Sequence, residues 1–387
     1  MGIIGPEFSR FSQQGLLADA VEECPFIMQH WWKLPIFPLE GNPIQGVVVN
    51  IPVEKFGQPI GHCDELQDKT ILPKQQLRTF PYGEYASKHV VTAVAADTLS
   101  SCRDPKAIET QLGIREILYK VSSDFEVGDS SLVPGSIDGV LKQCDPDKIK
   151  DLNCGPLTKE ELFLTQSMIT TNEGVCGILV GNLVAELALL KAFWEEGFDV
   201  DYAHVKVCCA DNTVRCVQRP KFNGWLFVRN DLMTVNFCEI INGGGDKKKK
   251  KTIQKMKAPP KLKNKKGEEV TIVEVNGGFI MTAVDIAQAM NAGLLLSANL
   301  IMLMPGWNNS FFFTQANQGR SIFRVRETVR DGRSHIENQV YLPIGFAVRT
   351  NCACAVVKDF IPLPSVLEPG PINGDVISAT RVTDVNP

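Results

Sequence analysis

The sequence has no apolar run long enough to cross a bilayer as a helix. The best candidate, residues 283–304, is broken by Asp285, Gln288, Asn291 and Asn299, whereas a spanning helix needs about 20 predominantly apolar residues. No membrane partner is therefore expected. Histidine is scarce, with five in 387 residues, and no CxxC or HxxxH pair occurs, so the paired spacing of zinc sites is missing. Phosphate-binding loops are missing too. The NGGGD stretch from Asn242 to Asp246 runs into lysines rather than GK[ST], and no GxGxxG opens a helix after a strand. These gaps leave no expected cofactor, no expected metal and no recognised catalytic set. The first residues, MGIIGPEFSRFSQQ, lack a basic stretch ahead of an apolar one, so no secretory leader is expected there.

With 44% apolar and 22% charged residues, the chain can bury a sizeable core and is not disordered as a whole. Twelve cysteines sit singly in apolar runs, such as Cys176 in GVCGILV, Cys216 in TVRCVQ and Cys238 in VNFCEI. Free cysteine in such runs behaves as a small hydrophobe. They read as reduced thiols of a cytosol-like compartment, or of a virion if the chain is viral. The net charge of −4 hides an uneven distribution. Between Lys247 and Lys266 stand eleven lysines and no acid, so the rest of the chain carries −15, the −4 total less the 11. One basic hook sits on an acidic body.

Residues 1–81, rich in proline and aromatics, read as an N-terminal arm and strand region, with Trp31 and Trp32 laying apolar surface on the core. Residues 82–361 form the main β-rich body, with helices near 106–118, 158–169 and 182–196 and a lysine-rich insertion at 246–266. Residues 362–387, with little periodicity, read as an extended C-terminal arm. Thr158 followed by Glu161 marks a capping box. Leu183, Leu187, Leu190 and Trp194 recur at helical spacing up to Gly197. Segments such as YAHVKVCCA, GWLFVRN and MTVNFCEII are short, β-branched and bounded by turn residues. No βαβα alternation is visible. The expected fold class is α+β, dominated by β: mostly antiparallel strands, a few helices, and extended arms at both ends.

Two basic groups are candidate interaction sites. Lys247, Lys248, Lys249, Lys250, Lys251, Lys255 and Lys257 belong to the insertion, read as a loop between two strands. Lysine is a point charge on a flexible stem and suits a phosphate backbone or an acidic protein face. No aromatic lies between Asp246 and Glu269 to stack on bases. Arg320, Arg324 and Arg326 form the second group, and Arg324 and Arg326 share a face if their segment is a strand. Cys352 and Cys354 would likewise share a strand face, where a third ligand could meet them.

A nucleophile candidate is Cys176, in Gly174-Val175-Cys176-Gly177 ahead of a helix, where the dipole would acidify a thiol. This strand–Cys–helix layout resembles that of thiolase-like condensing enzymes over a short stretch, without their later His and Gly-rich motifs. The resemblance implies Cys176 as nucleophile, with His89, His204 or His335 as the available bases. The favoured reading is a structural assembly subunit, a capsid-like or virion shell protein that contacts copies of itself or another shell protein. An enzyme built around Cys176 and a nonspecific nucleic-acid binder using the lysines are the alternatives.

Overall fold

Short β-branched blocks separated by turn residues give strands, and the longer apolar-periodic stretches give helices, in the computed structural model of the chain. It describes residues 26–39, 44–50, 74–92, 105–169, 177–195, 200–208, 214–241, 252–256, 260, 273–275, 277–315, 322–330, 335–350 and 352–362. Strands β1 (Ile36–Leu39), β2 (Ile44–Asn50), β3 (Lys74–Phe80) and β4 (Gly83–Thr92) lead into the long helix α1 (Pro105–Val127). Next come α2 (Val140–Gln143), β5 (Ile149–Pro156), α3 (Lys159–Ser167), β6 (Ile178–Gly181) and α4 (Leu183–Glu195). A strand-rich block holds β7 (Asp201–Cys208), β8 (Val214–Phe222), β9 (Trp225–Arg229), β10 (Val235–Ile241), β11 (Thr252–Lys255), β12 (Val273–Val275) and β13 (Gly278–Ile280). Helix α5 (Ala283–Asn291) precedes β14 (Leu295–Leu303), β15 (Ser310–Gln315), β16 (Arg324–Arg330), β17 (His335–Val348) and β18 (Cys354–Ile361).

The strands form an eleven-stranded sheet, a five-stranded sheet and the two-stranded ribbon β2–β3. Most pairings are antiparallel; β1 with β15, β5 with β18 and β6 with β9 are parallel. The α+β, β-dominated class expected from sequence is the class observed. In the large sheet β14 is central, buried from Leu296 to Leu303. A strand apolar along its length needs cover on both faces. Helices α3, α4 and α5 lie over this sheet, and the C-terminal end of α1 reaches β14 through Glu126. In the five-stranded sheet the long β17 is flanked by β4 along one edge and by β16 and β15 in succession along the other. Helix α1 packs on β4 and β17.

Local sequence explains the helix starts. Thr158 Oγ1 accepts from the Glu161 amide at 3.2 Å, as the capping-box spacing predicts. Thr282 does the same for Asp285 ahead of α5, and Asn182 Oδ1 for Ala185 in the first turn of α4. Each such cap contributes about 1 kcal/mol.

The aromatic N-terminal segment packs on the chain's own core. Trp31 stacks on Phe312 with ring centroids 4.4 Å apart, and its indole N–H donates to Ser122 Oγ at 2.9 Å. The Asp231 carboxylate accepts from the Ile27 amide at 3.0 Å, and the Asp231 amide donates back to Ile27 O at 2.8 Å. Beside Trp31 lies His30, fully buried and stacked on Phe125 at 5.1 Å. Neither of its ring nitrogens has a hydrogen-bond partner. Burial lowers its pKa to about 3 and keeps the ring neutral.

Several expectations need correction. Helix α1 runs nine residues beyond the expected end at 118, to Val127. Its last turns carry Ser122, Ser123, Asp124 and Glu126, all buried, and polar residues there mask the apolar period. On α4 the buried face is Val184, Ala185, Ala188, Leu189, Ala192 and Phe193, while Trp194 is 60% exposed. The helix is apolar nearly all round, so periodicity did not select a face; the alanines do, by letting it approach the sheet closely. The reduced-thiol expectation fails at Cys154 and Cys238, which form a disulfide. They stand 84 residues apart, and spacing alone cannot pair such cysteines. Cys352 and Cys354 do not share a face: Cys352 is exposed in a turn and Cys354 is buried at the start of β18. The tail from 363 lies outside the described residues.

Candidate assembly surfaces and the lysine hairpin

Strand β10 pairs antiparallel with β11, with Ile241 opposite Thr252 and Cys238 opposite Lys255. The lysine-rich insertion is therefore not one loop. Lys255, expected in the loop, lies exposed on strand β11. The alternation in TIQK between Thr252 and Lys255 was the available signal, obscured by surrounding lysines. Lys247, Lys248, Lys249, Lys250, Lys251 and Lys257 lie outside the described residues.

The root of this hairpin is cross-linked. The large sheet rolls so that β5, next to β18, comes against β11, and the Cys154–Cys238 disulfide joins β5 to β10 across the roll. Around it gather Ile253, Leu295 and Ile361, so β5, β10, β11, β14 and β18 each contribute one side chain. The chain-entropy estimate for a closed loop of this size is about 4.5 kcal/mol.

At the same place the strand ladders are interrupted. Between the pairs Asp151↔Lys358 and Gly155↔Phe360, three residues of β5 face only Asp359 on β18. Asn153 (φ 47°), Cys154 (φ 61°) and Asp359 (φ 50°) all adopt left-handed backbone. That conformation costs a non-glycine residue about 1 kcal/mol or more. Buried polar groups hold the bulge. The Asp359 amide donates to Asn299 Oδ1 at 2.9 Å, and Asn236 Nδ2 donates to Asp359 Oδ1 at 2.7 Å. Asn299 Nδ2 donates to Glu126 Oε1 at 2.6 Å, and the Thr234 amide to Glu126 Oε2 at 2.6 Å. Burial raises the Glu126 pKa.

Arg324 and Arg326 lie on β16, exposed and on the same face, opposite Tyr341 and Gln339 of β17. Arg324 Nη2 donates to Gln315 Oε1 at 2.9 Å. The same face carries Lys88 of β4, ion-paired with Glu337 at 2.8 Å. Beyond β16 no further strand is paired among the described residues, so its outer edge is open. Arg320 lies outside the described residues. Among the described residues of the two basic groups, Lys255 belongs to the eleven-stranded sheet and Arg324 and Arg326 to the five-stranded one.

Two pairs of strands form ribbons. The β2–β3 ribbon pairs over seven residues, with no third strand among the described residues. Its base is tied where Arg78 Nη1 donates to Gln143 O at 2.9 Å. The β7–β8 ribbon pairs from Asp201↔Lys221 to Cys208↔Val214, but only Lys221 and Phe222 of β8 meet β9. Tyr202 and His204 on it are exposed.

Cys176 lies outside the described residues. Of its three proposed bases, His204 stands on the β7–β8 ribbon, and His89 contacts Glu109 at 2.8 Å and Glu116 at 3.1 Å. His335 pairs with Arg330 and Thr92 in the β ladder. Among the described residues, no group of three His, Cys, Asp or Glu is placed to hold a metal ion, and no helix is long and apolar enough to cross a membrane.

No family model matches the chain, and no curated protein matches it in sequence. Solved structures do match in shape. The capsid of the native GTA particle is similar with a TM-score of 0.50 at 11% identity, covering 86% of this chain and 90% of that one. The cryoEM structure of the holo-SrpI encapsulin complex from Synechococcus elongatus PCC 7942 is similar with a TM-score of 0.56 at 12% identity, covering 89% of this chain and 91% of that one. At such identity the likeness is one of fold, and it extends over nearly the whole of each chain.

Proposed function

We propose that this chain is the structural subunit of a closed protein shell, assembled from copies of itself. The observation that carries the reading is the pair of ribbons that are two-stranded over most of their described length. A two-stranded hairpin is marginal by itself in water, and its unpaired edges invite association. Ribbons that lack a third strand over most of their length gain cover from neighbouring subunits. The likeness to an encapsulin and to a GTA capsid supports the same reading, because both names describe shells. A virion and an encapsulin-type compartment are the two settings consistent with it.

The lysine hairpin favours a polyanion-facing or acid-facing role within that shell. With the residues that follow it to Lys266 it gathers eleven lysines on a chain otherwise at −15, without aromatics for base stacking. The decisive experiment is the mass of the native particle by light scattering, with negative-stain imaging of the same sample. Closed particles of many copies are expected, and a chain that stays monomeric at micromolar concentration removes the reading. Replacing Lys247–Lys251 with Gln then separates two partners. If co-purifying nucleic acid is lost while particles persist, the hairpin faces a polyanion. If particles themselves weaken, increasingly so as salt rises, it faces an acidic surface of a second copy.

A further inference from the structure

We infer that the Cys154–Cys238 disulfide is a redox-operated lock that fixes the lysine hairpin against the body of the subunit. Its bearing on particles rests on the shell reading; the lock itself does not. Three observations converge on one place. The bond joins β5 to β10, strands that share no ladder hydrogen bonds, so without it the roll is closed only by side-chain packing of β5 against β11. Three of the four left-handed non-glycine residues in the described chain, Asn153, Cys154 and Asp359, lie at this junction. Strained backbone persists only where the surroundings over-determine it, and such strain collects at switches. Finally, Cys238 stands directly opposite Lys255, so the bond holds the base of the hairpin that carries the five lysines.

The step is thiol–disulfide exchange with a dithiol reductant. A reductant thiolate attacks one cysteine sulfur, the S–S bond breaks, and the other cysteine leaves as a thiolate that takes up a proton. The second reductant thiol then displaces the remaining cysteine. The reductant ends as a cyclic disulfide, and Cys154 and Cys238 each gain one electron and one proton. Freed of the bond, β5 can relax from its bulge and β10–β11 can part from it. Cys154 is fully buried and Cys238 is 5% exposed, so exchange requires the roll to open. The closed lock therefore resists reductant while the surroundings hold it shut.

The test uses the full chain, oxidised or treated with dithiothreitol, beside a Cys154→Ser/Cys238→Ser variant and a Cys352→Ser control. Peptide mapping without reductant should find Cys154 linked to Cys238; free thiols at both positions in air-exposed protein would overturn the inference. Hydrogen exchange of β10 and β11 amides should rise at least tenfold on reduction, while exchange in β4 and β17 stays within twofold. The double variant should match the reduced protein and ignore the reductant, and Cys352→Ser should behave as the parent. Unchanged exchange on reduction would sink the lock and leave the shell reading intact. If the double variant does not fold, the parent with and without reductant supplies the same comparison. Particles, measured by scattering in parallel, should dissociate at lower salt after reduction. Absence of particles under every condition, with the exchange difference present, would remove the shell and keep the lock.

Discussion

The two halves of α1 are held in contrasting ways. The half nearer its start meets β4 through groups at the surface: His89 between Glu109 and Glu116, whose side chains are 30% and 58% exposed. The half nearer its end enters the core. There Tyr85 Oη donates to Asp124 Oδ2 at 2.8 Å, Lys120 reaches Asp124 at 2.7 Å, and Glu126 receives Asn299 and Thr234. Burial raises the Tyr85 pKa, and the nearby Asp124 charge adds to it. The same helix is anchored at one end by contacts that water can replace and at the other by contacts it cannot. An unpaired buried polar group costs far more than a surface pair contributes. The inner half should fix where α1 sits between the two sheets, and the outer half should be free to adjust.

The largest effect expected from breaking this contrast is at Glu126. Glu126→Ala leaves the Thr234 amide and the Asn299 side chain without their acceptor and opens a cavity, and should cost roughly 3–5 kcal/mol in denaturant unfolding. Glu126→Gln keeps the shape and one acceptor oxygen but turns its amide NH2 toward the other donor, and should cost less than the alanine, about 1–3 kcal/mol. Equal losses from the two substitutions would show that the pair of acceptor oxygens rather than shape matters there. The pH dependence has a definite sign. A carboxyl whose folded pKa lies above its unfolded value contributes most below that unfolded value. Its stabilisation is lost as pH rises through the folded value.

His30, stacked on Phe125 of the same inner half, has the opposite sign. Its pKa falls from 6.5 unfolded to about 3 folded, so protonation favours the unfolded chain and stability drops as pH falls below 6.5. The loss is about 2 kcal/mol at pH 5, following the linkage of protons to unfolding. His30→Leu should remove that slope and add about 1 kcal/mol at pH 7, since two orphaned ring nitrogens leave the core. Unfolding curves from pH 4 to 8 for both proteins check this, and parallel curves would mean the ring is reached by water.

This inner half was the part least legible in the sequence. Ser122, Asp124 and Glu126 interrupt the apolar period of α1, and their partners Asn299, Thr234 and Tyr85 are distant in sequence. A local pattern cannot announce a buried polar network assembled from three elements. Cys154 and Cys238 failed for the same reason, each looking like a small hydrophobe in a strand. What local chemistry does specify was readable: the Thr158 cap, the β-branched strands, and Arg324 and Arg326 on one strand face. The lysine segment fell between these cases. Lys255 is exposed as its charge suggests, while the abundance of lysine hid β11 around it.

The smallest effect should come from the outer half, and its size is informative. A double Glu109→Gln/Glu116→Gln substitution removes both carboxylates beside His89 yet leaves hydrogen-bonding side chains in place. Exposed pairs of this kind contribute about 1 kcal/mol or less and are screened by salt. The variant should therefore unfold within about 1 kcal/mol of the parent at low ionic strength, and the gap should shrink at 0.5 M salt. Hydrogen exchange would sharpen the point: amides early in α1 should exchange faster in the variant, while those near Glu126 stay protected. If protection fell along the whole helix, the two halves would be one cooperative unit and the contrast would collapse. If it fell only at the outer half, α1 would be a spine fixed at one end, with the β4 side able to shift against it. Under the shell proposed above, such a spine would let copies meet their neighbours at slightly different angles without disturbing the core.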